Sequence, residues 1–230
     1  RNSITYLQKV GGKIIVTENP SLRDIENNLN VAAGKKEECS RVKVYCEDNV
    51  GVMFCKAFLP RWIKSKVEFV TGMDLSWSVY KTLYQHKVPE FLDNLIVLDG
   101  DVKDPTLGWN KYPRNKNIVF LPTTLAPERT IYNMLFEMNE IDEFWDNSLS
   151  GYSKEVCFRN YPNRLEKIDD IKKWFEEQKE HAGKGYSKFL NEWKKRNPQE
   201  VDIFEKEFVK AYNYVANRTG FDKIEEGETY

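Results

Sequence analysis

Four apolar residues in a row, Leu95-Ile96-Val97-Leu98, run directly into Asp99-Gly100-Asp101. No polar residue alternates with them, so a strand made of this run is apolar on both faces. Such a strand needs covering layers above and below its sheet, which points to an α/β fold with a mostly parallel, helix-flanked sheet. Charge is not tolerated in the middle of a doubly buried strand, but it is tolerated where the strand emerges. That carboxyl end is where open α/β sheets place their ligands. Asp99 and Asp101 are therefore read as projecting into the crevice, with Gly100 letting a ligand or metal approach the backbone. Hard carboxylate oxygens suit Mg²⁺ or Mn²⁺. The competing structural reading is that an aspartate after a strand only caps the next turn.

At 230 residues the chain is read as one large domain, or one domain with attached pieces. No apolar run approaches the roughly 20 residues that span a bilayer. Arg1 in place of an initiator methionine is read as a lost N-terminus, so targeting is not judged from this sequence. The four cysteines, Cys39, Cys46, Cys55 and Cys157, lack zinc-type spacing, and only His86 and His181 could join them. Scattered thiols fit a reduced, cytoplasmic setting. With a formal net charge of −1, nucleic-acid binding would need a local basic face.

Along the chain, Ser3–Gln8 and Lys13–Thr17 flank Gly11-Gly12 and read as a hairpin, and Pro20 opens a short helix from Ser21 to Leu29. The polar stretch Val31 to Ser40 marks a boundary. Val42–Cys46 reads as the first core strand, ending in Glu47-Asp48, with Asp48 or Asn49 capping a helix to about Leu59. Val67–Thr71 is a second strand, Asp74 caps a helix to about His86, Leu95 opens the third strand, and Ile118–Leu121 is the fourth. From Pro127 onward the pattern is helical: Glu128 to Met138, Leu165 to Gln178, Tyr186 to Lys195 and Val201 to Ala216, with a loop from Asn147 to Asn163 and a frayed acidic tail from Gly220. The six tryptophans read as core or interface residues, and the two histidines as surface ones.

In a parallel sheet all strand ends point the same way, so Glu47 and the Asp99/Asp101 pair can meet at one edge. Carboxylates converging without a basic partner repel, and a divalent metal relieves that repulsion. The stretch Val42 to Asp48, the helix after it, Val67 to Gly72 and Leu95 to Asp101 resemble a Toprim domain, which carries a glutamate after its first strand and Asp-x-Asp after its third. More narrowly, the chain resembles the Toprim nuclease part of OLD-type proteins, in which an ABC-type ATPase precedes the nuclease. Ser3 to Asn28 resembles the last hairpin and helix of such an ATPase, and Leu121 to Glu128 resembles the loop after the fourth strand. The resemblance implies three parts: residues 1–36 as the tail of the ATPase, 37–138 as the Toprim core, and 139–230 as its helical C-terminal extension.

The resemblance further implies a metal-dependent endonuclease using two Mg²⁺ (or Mn²⁺) ions. Glu47 would bind metal and assist proton transfer, Asp99 and Asp101 would bind Mg²⁺, and Glu128 would serve a second ion. Lys173, or next Lys172, would contact the phosphate. Many Toprim domains follow the glutamate with glycine and place another acid four residues on; here Asp48 and Gly51 stand at those places, and Asp48 is read as the substitute ligand. The implied partners are nucleic acid, DNA ahead of RNA, an upstream ATPase domain and further copies of the chain, in a cytoplasmic anti-phage role with no membrane.

Two other enzyme classes end an apolar strand in Asp-x-Asp. Phosphatases of the haloacid dehalogenase type want Thr or Val two residues after the second aspartate, where Lys103 stands. Glycosyltransferases that hold a metal–sugar-nucleotide accept the Asp-x-Asp but give Glu47 no role. A third alternative is a non-catalytic Toprim-like module that only binds nucleic acid or a partner.

Overall fold

Side-chain alternation puts Leu95 and Val97 on one face of the central strand and Ile96 and Leu98 on the other, and all four are buried. The computed structural model describes residues 5–10, 13–18, 41–72, 75–103, 116–148 and 151–225. Strands β1 (Thr5–Val10) and β2 (Lys13–Glu18) pair antiparallel with Val10 opposite Lys13, the hairpin that Gly11-Gly12 predicts. The expected helix from Ser21 to Leu29, the boundary at Val31 to Ser40 and the expected cap Asp74 lie outside the described residues.

The main sheet holds β3 (Val42–Cys46), β4 (Val67–Phe69), β5 (Leu95–Leu98) and β6 (Ile118–Phe120) in the order β4-β3-β5-β6, all parallel. The chain steps outward from β3 to β4, then crosses back over β3 to reach β5. Crossovers of one hand that reverse direction must use opposite faces of the sheet. The helices follow that rule. On one face lie α1 (Asn49–Phe58) and α2 (Arg61–Lys64), whose Phe54, Phe58 and Ile63 share a core with Val42, Val44, Leu95 and Val97. On the other lie α3 (Trp77–Gln85) and α4 (Pro89–Leu92), where Tyr80 and Phe91 pack with Tyr45, Ile96 and Leu98. The inner strands β3 and β5 are nearly all buried, whereas the edge strands β4 and β6 are half-covered, as two-sided burial at the centre requires.

The helical region begins with α5 (Pro127–Glu137) and continues through α6 (Glu143–Ser148), α7 (Lys154–Phe158), α8 (Ile168–Ala182), α9 (Ser187–Arg196) and α10 (Pro198–Thr219). The stretch read as a loop from Asn147 to Asn163 thus contains α7 and the end of α6. Helices of five or six residues are too short to show a periodic stripe. Aromatic packing ties these helices together: the Trp174 ring stacks on Phe158 at 5.5 Å and meets Tyr132 edge-on at 5.0 Å, and its indole N–H donates to the Cys157 carbonyl. Ile171, Trp174, Phe175 and Gln178 of α8 fall on one face at i, i+3, i+4, i+7. Their cluster is continuous with the core of the sheet's first face.

The expectation of a frayed tail fails at Phe221–Glu225, because Ile224 is buried and clamped. The Asn213 side chain donates to the Ile224 carbonyl and accepts from its N–H, both at 2.8 Å. Asn213→Ala removes two hydrogen bonds and is expected to cost about 1–3 kcal/mol; urea denaturation measures it, and an unchanged midpoint would mean that the strap contributes nothing.

Candidate functional site

The strand order reverses between β3 and β5, and open α/β sheets bind ligands outside the carboxyl ends at such a switch point. Glu47 leaves β3 there and Asp99 leaves β5. They meet directly: the Asp99 N–H donates to Glu47 Oε1 at 3.0 Å, and the Trp77 N–H donates to Glu47 Oε2 at 3.0 Å. Glu47 is thus bolted between the end of β5 and the start of α3, a fixed carboxylate with one hydrogen bond on each oxygen. Its carboxyl is pushed up by burial, partly offset by those two N–H groups, with Asp101 and Asp48 pushing it further.

Asp48 is the N-cap of α1, its Oδ1 accepting from Val50 N at 2.8 Å and Gly51 N at 3.0 Å. It therefore has a structural duty, and both of these bonds fall on Oδ1, so the cap itself does not engage Oδ2. Gly51 is not open to a second acid: a Cβ there would stand 3.1 Å from Cys46 Cβ and 3.8 Å from Asp99 Oδ1.

Asp99 carries the largest strain. Its Oδ1 is shut off from solvent with no hydrogen-bond partner. Burial pushes its carboxyl up to about 9, and Glu47, Asp48, Asp101 and Glu128 add to the rise. Asp101, in the 3₁₀ turn Gly100–Lys103, is exposed at the rim. Glu128, in the first turn of α5, is buried at 5 % exposure; burial raises it, while its own N–H and Lys172 pull it back. The other four acids read from the sequence therefore all lie within electrostatic reach of Asp99. Lys172 Nζ stands 3.8 Å from Glu128 Oε1.

Two expectations change. Gly100 does not open the backbone to a ligand. It is buried, and the Thr123 carbonyl fills the space where its side chain would be. The lysine beside the acids is Lys172, whereas Lys173, the first candidate for the phosphate contact, is exposed about 100° further round α8. Sequence reasoning also missed the Trp77 N–H, whose position depends on where α3 begins, and Tyr186, a buried residue whose hydroxyl has no partner and whose pKa is pushed up by burial and then by Glu128.

Among the described residues, no three Asp, Glu, His or Cys side chains stand together as a finished ligand cage. The present hydrogen bonds show why: Glu47 and Asp48 face backbone N–H groups, and Asp99 Oδ1 is turned inward. The donor set is nonetheless suited to a hard cation, being all carboxylate with one buried unpartnered oxygen at its centre. Among the described residues no helix is long and apolar enough to cross a membrane. No protein-family model, no curated protein and no solved structure matches this chain.

Proposed function

We propose that the chain is a divalent-metal-dependent nuclease of the Toprim type, the nuclease part of an OLD-like ATPase–nuclease acting in defence against phage. The observation that carries this reading is the join between Glu47 and Asp99, residues far apart in sequence whose carboxylate and backbone meet at adjacent strand ends, ringed by Asp48, Asp101 and Glu128. The order of the main sheet, with β3 and β5 adjacent at its centre, supports it. A nucleotide-sugar site built on Asp-x-Asp would leave the Glu47 join without a purpose.

Glu47, Asp99 and Asp101 would hold one Mg²⁺ or Mn²⁺, with Asp48 and Glu128 available to a second. Bound there, divalent ions supply charge neutralisation at the phosphate and activation of water. Glu47, held by two backbone N–H groups and with its carboxyl pushed up by burial, is suited to accept a proton from the attacking water. Lys172 is suited to the negative charge that builds on the phosphate.

The test is cleavage of supercoiled plasmid and of labelled RNA by the protein with Mg²⁺, Mn²⁺ or EDTA. Glu47→Gln is expected to abolish metal-dependent cutting. Lys172→Ala is expected to slow it about 10²-fold, as loss of one charge-stabilising donor does, while Lys173→Ala changes it less than about threefold. Cutting that survives Glu47→Gln would overturn the site, and a larger loss at Lys173 than at Lys172 would restore the first lysine assignment.

A further inference from the structure

A cavity of about 580 Å³ opens between α1 and the junction of α8 with α9. Its wall carries Lys56, Lys64 and Lys179, with Asn191, Tyr186 and Met53 between them, and among the described residues no carboxylate lines it. Each ammonium has a partner nearby. Lys56 lies over the Phe69 ring at 5.7 Å, Lys64 donates to the Lys56 carbonyl at 2.8 Å, and Lys179 lies over Phe175 at 6.0 Å while pairing with Glu176 at 2.7 Å. Glu176 is the one acid beside these lysines that the ion pairs record, and it sits outside the lining. Three cations around one concavity, against at most one carboxylate, leave an excess of positive charge focused in a space of ligand size.

Further strain is visible in the same wall. The Lys64 ammonium is disfavoured by burial and then by its neighbour Lys194. Like charges held together are stabilised by an anion that bridges them.

We infer that this cavity binds the phosphate of a nucleotide, with Lys56, Lys64 and Lys179 around the phosphate oxygens and Met53 against the sugar or base. Lys172 and Lys179 are seven residues apart on α8, about 10 Å at the helical rise. Lys172 pairs with Glu128 and Lys179 stands in the cavity wall, so the same helix serves both places. The phosphate has two possible sources: a polynucleotide whose cut end continues into the cavity, which rests on the nuclease reading, or a free mononucleotide, which does not.

Binding is measured by isothermal titration in EDTA, which keeps metal-mediated binding at the carboxylates out of the result. The probes are AMP, oligothymidylate and, as the phosphate-free control, adenosine. The phosphate-bearing probe is expected to bind more tightly than adenosine. Lys64→Gln is expected to weaken it about tenfold and Lys64→Gln/Lys179→Gln further, while Lys64→Arg/Lys179→Arg retains it. Binding of AMP assigns the site to a free nucleotide; binding of oligothymidylate alone assigns it to the nucleic-acid backbone. Affinity unchanged in the double glutamine variant, or no binding of either phosphate probe, overturns the inference. Neither result depends on whether Glu47→Gln abolishes cleavage, so the two readings fail separately.

Discussion

Asp99→Asn is expected to stabilise the metal-free protein above neutral pH and to remove its metal response. The native carboxyl of Asp99 is held up at about 9, chiefly by burial, whereas in the unfolded chain it titrates near its ordinary value of 3.8. Between those values the native state keeps a proton that the unfolded state has lost. The stability this residue contributes is therefore fully present below about pH 4 and is lost as pH rises through about 9. Allowing for relaxation of the site, the loss is on the order of 2–4 kcal/mol. Glu47 and Glu128 are raised by burial too, so they tilt the curve the same way. Asp142, lowered by its bond to Arg196, acts with the opposite sign: its contribution is present above its ordinary pKa and lost on acidification. In EDTA the melting temperature of the native sequence should fall between pH 5 and 9, and that of Asp99→Asn should fall less. Mg²⁺ at pH 8 should raise the melting temperature of the native sequence and leave the variant unmoved, since a ligand of the native state stabilises only the chain that binds it. A variant less stable than the native sequence at pH 8, with an intact Mg²⁺ response, would remove Asp99 from the site.

The same burial that raises Asp99 made its strand readable. Val42–Cys46 was legible to the residue and Leu95–Leu98 nearly so, because the runs are apolar save for Lys43 and stop abruptly at Glu47 and Asp99. Parallel strands then put Glu47 and Asp99 at one edge, and the strand order, with β3 beside β5, brings them together. Contacts set by loops were not legible. Nothing in the sequence says that the Thr123 carbonyl seats on Gly100, and a glycine between two acids reads equally as room for a ligand. The lysine assignment was recoverable: Ile171, Trp174 and Phe175 fix the buried face of α8, which leaves Lys172 on its flank and Lys173 nearly opposite. The lysine cavity joins residues from α1, the end of α2, α8 and α9, a juxtaposition that only packing creates.

Gly100→Ala is expected to be among the most damaging single substitutions in the chain. A methyl on Gly100 would overlap the Thr123 carbonyl oxygen and stand 2.5 Å from both the carbonyl carbon and Oγ1 of that residue. These are mainly backbone atoms of a buried residue, so no flexible side chain can swing away. Thr123 is itself tied down, its hydroxyl donating to the Leu125 carbonyl at 2.8 Å. Relief therefore requires the whole β6–α5 loop to move, at an expected cost of about 4 kcal/mol or more. Because α5 begins with Pro127-Glu128, the displacement would also carry Glu128 away from Asp99 and Asp101. Gly51→Ala provides the internal comparison. Its Cβ meets the Cys46 side chain at 3.1 Å, which a shift of a few tenths of an ångström relieves, and alanine gains about 1 kcal/mol of helix propensity within α1. Urea denaturation should therefore separate the two variants widely, with Gly51→Ala near the native midpoint and Gly100→Ala far below it or unfolded. Equal losses in both would mean that the loop yields as readily as a side chain. In that case the close seating of Thr123 on Gly100 does not hold the acids of β5 and α5 in register.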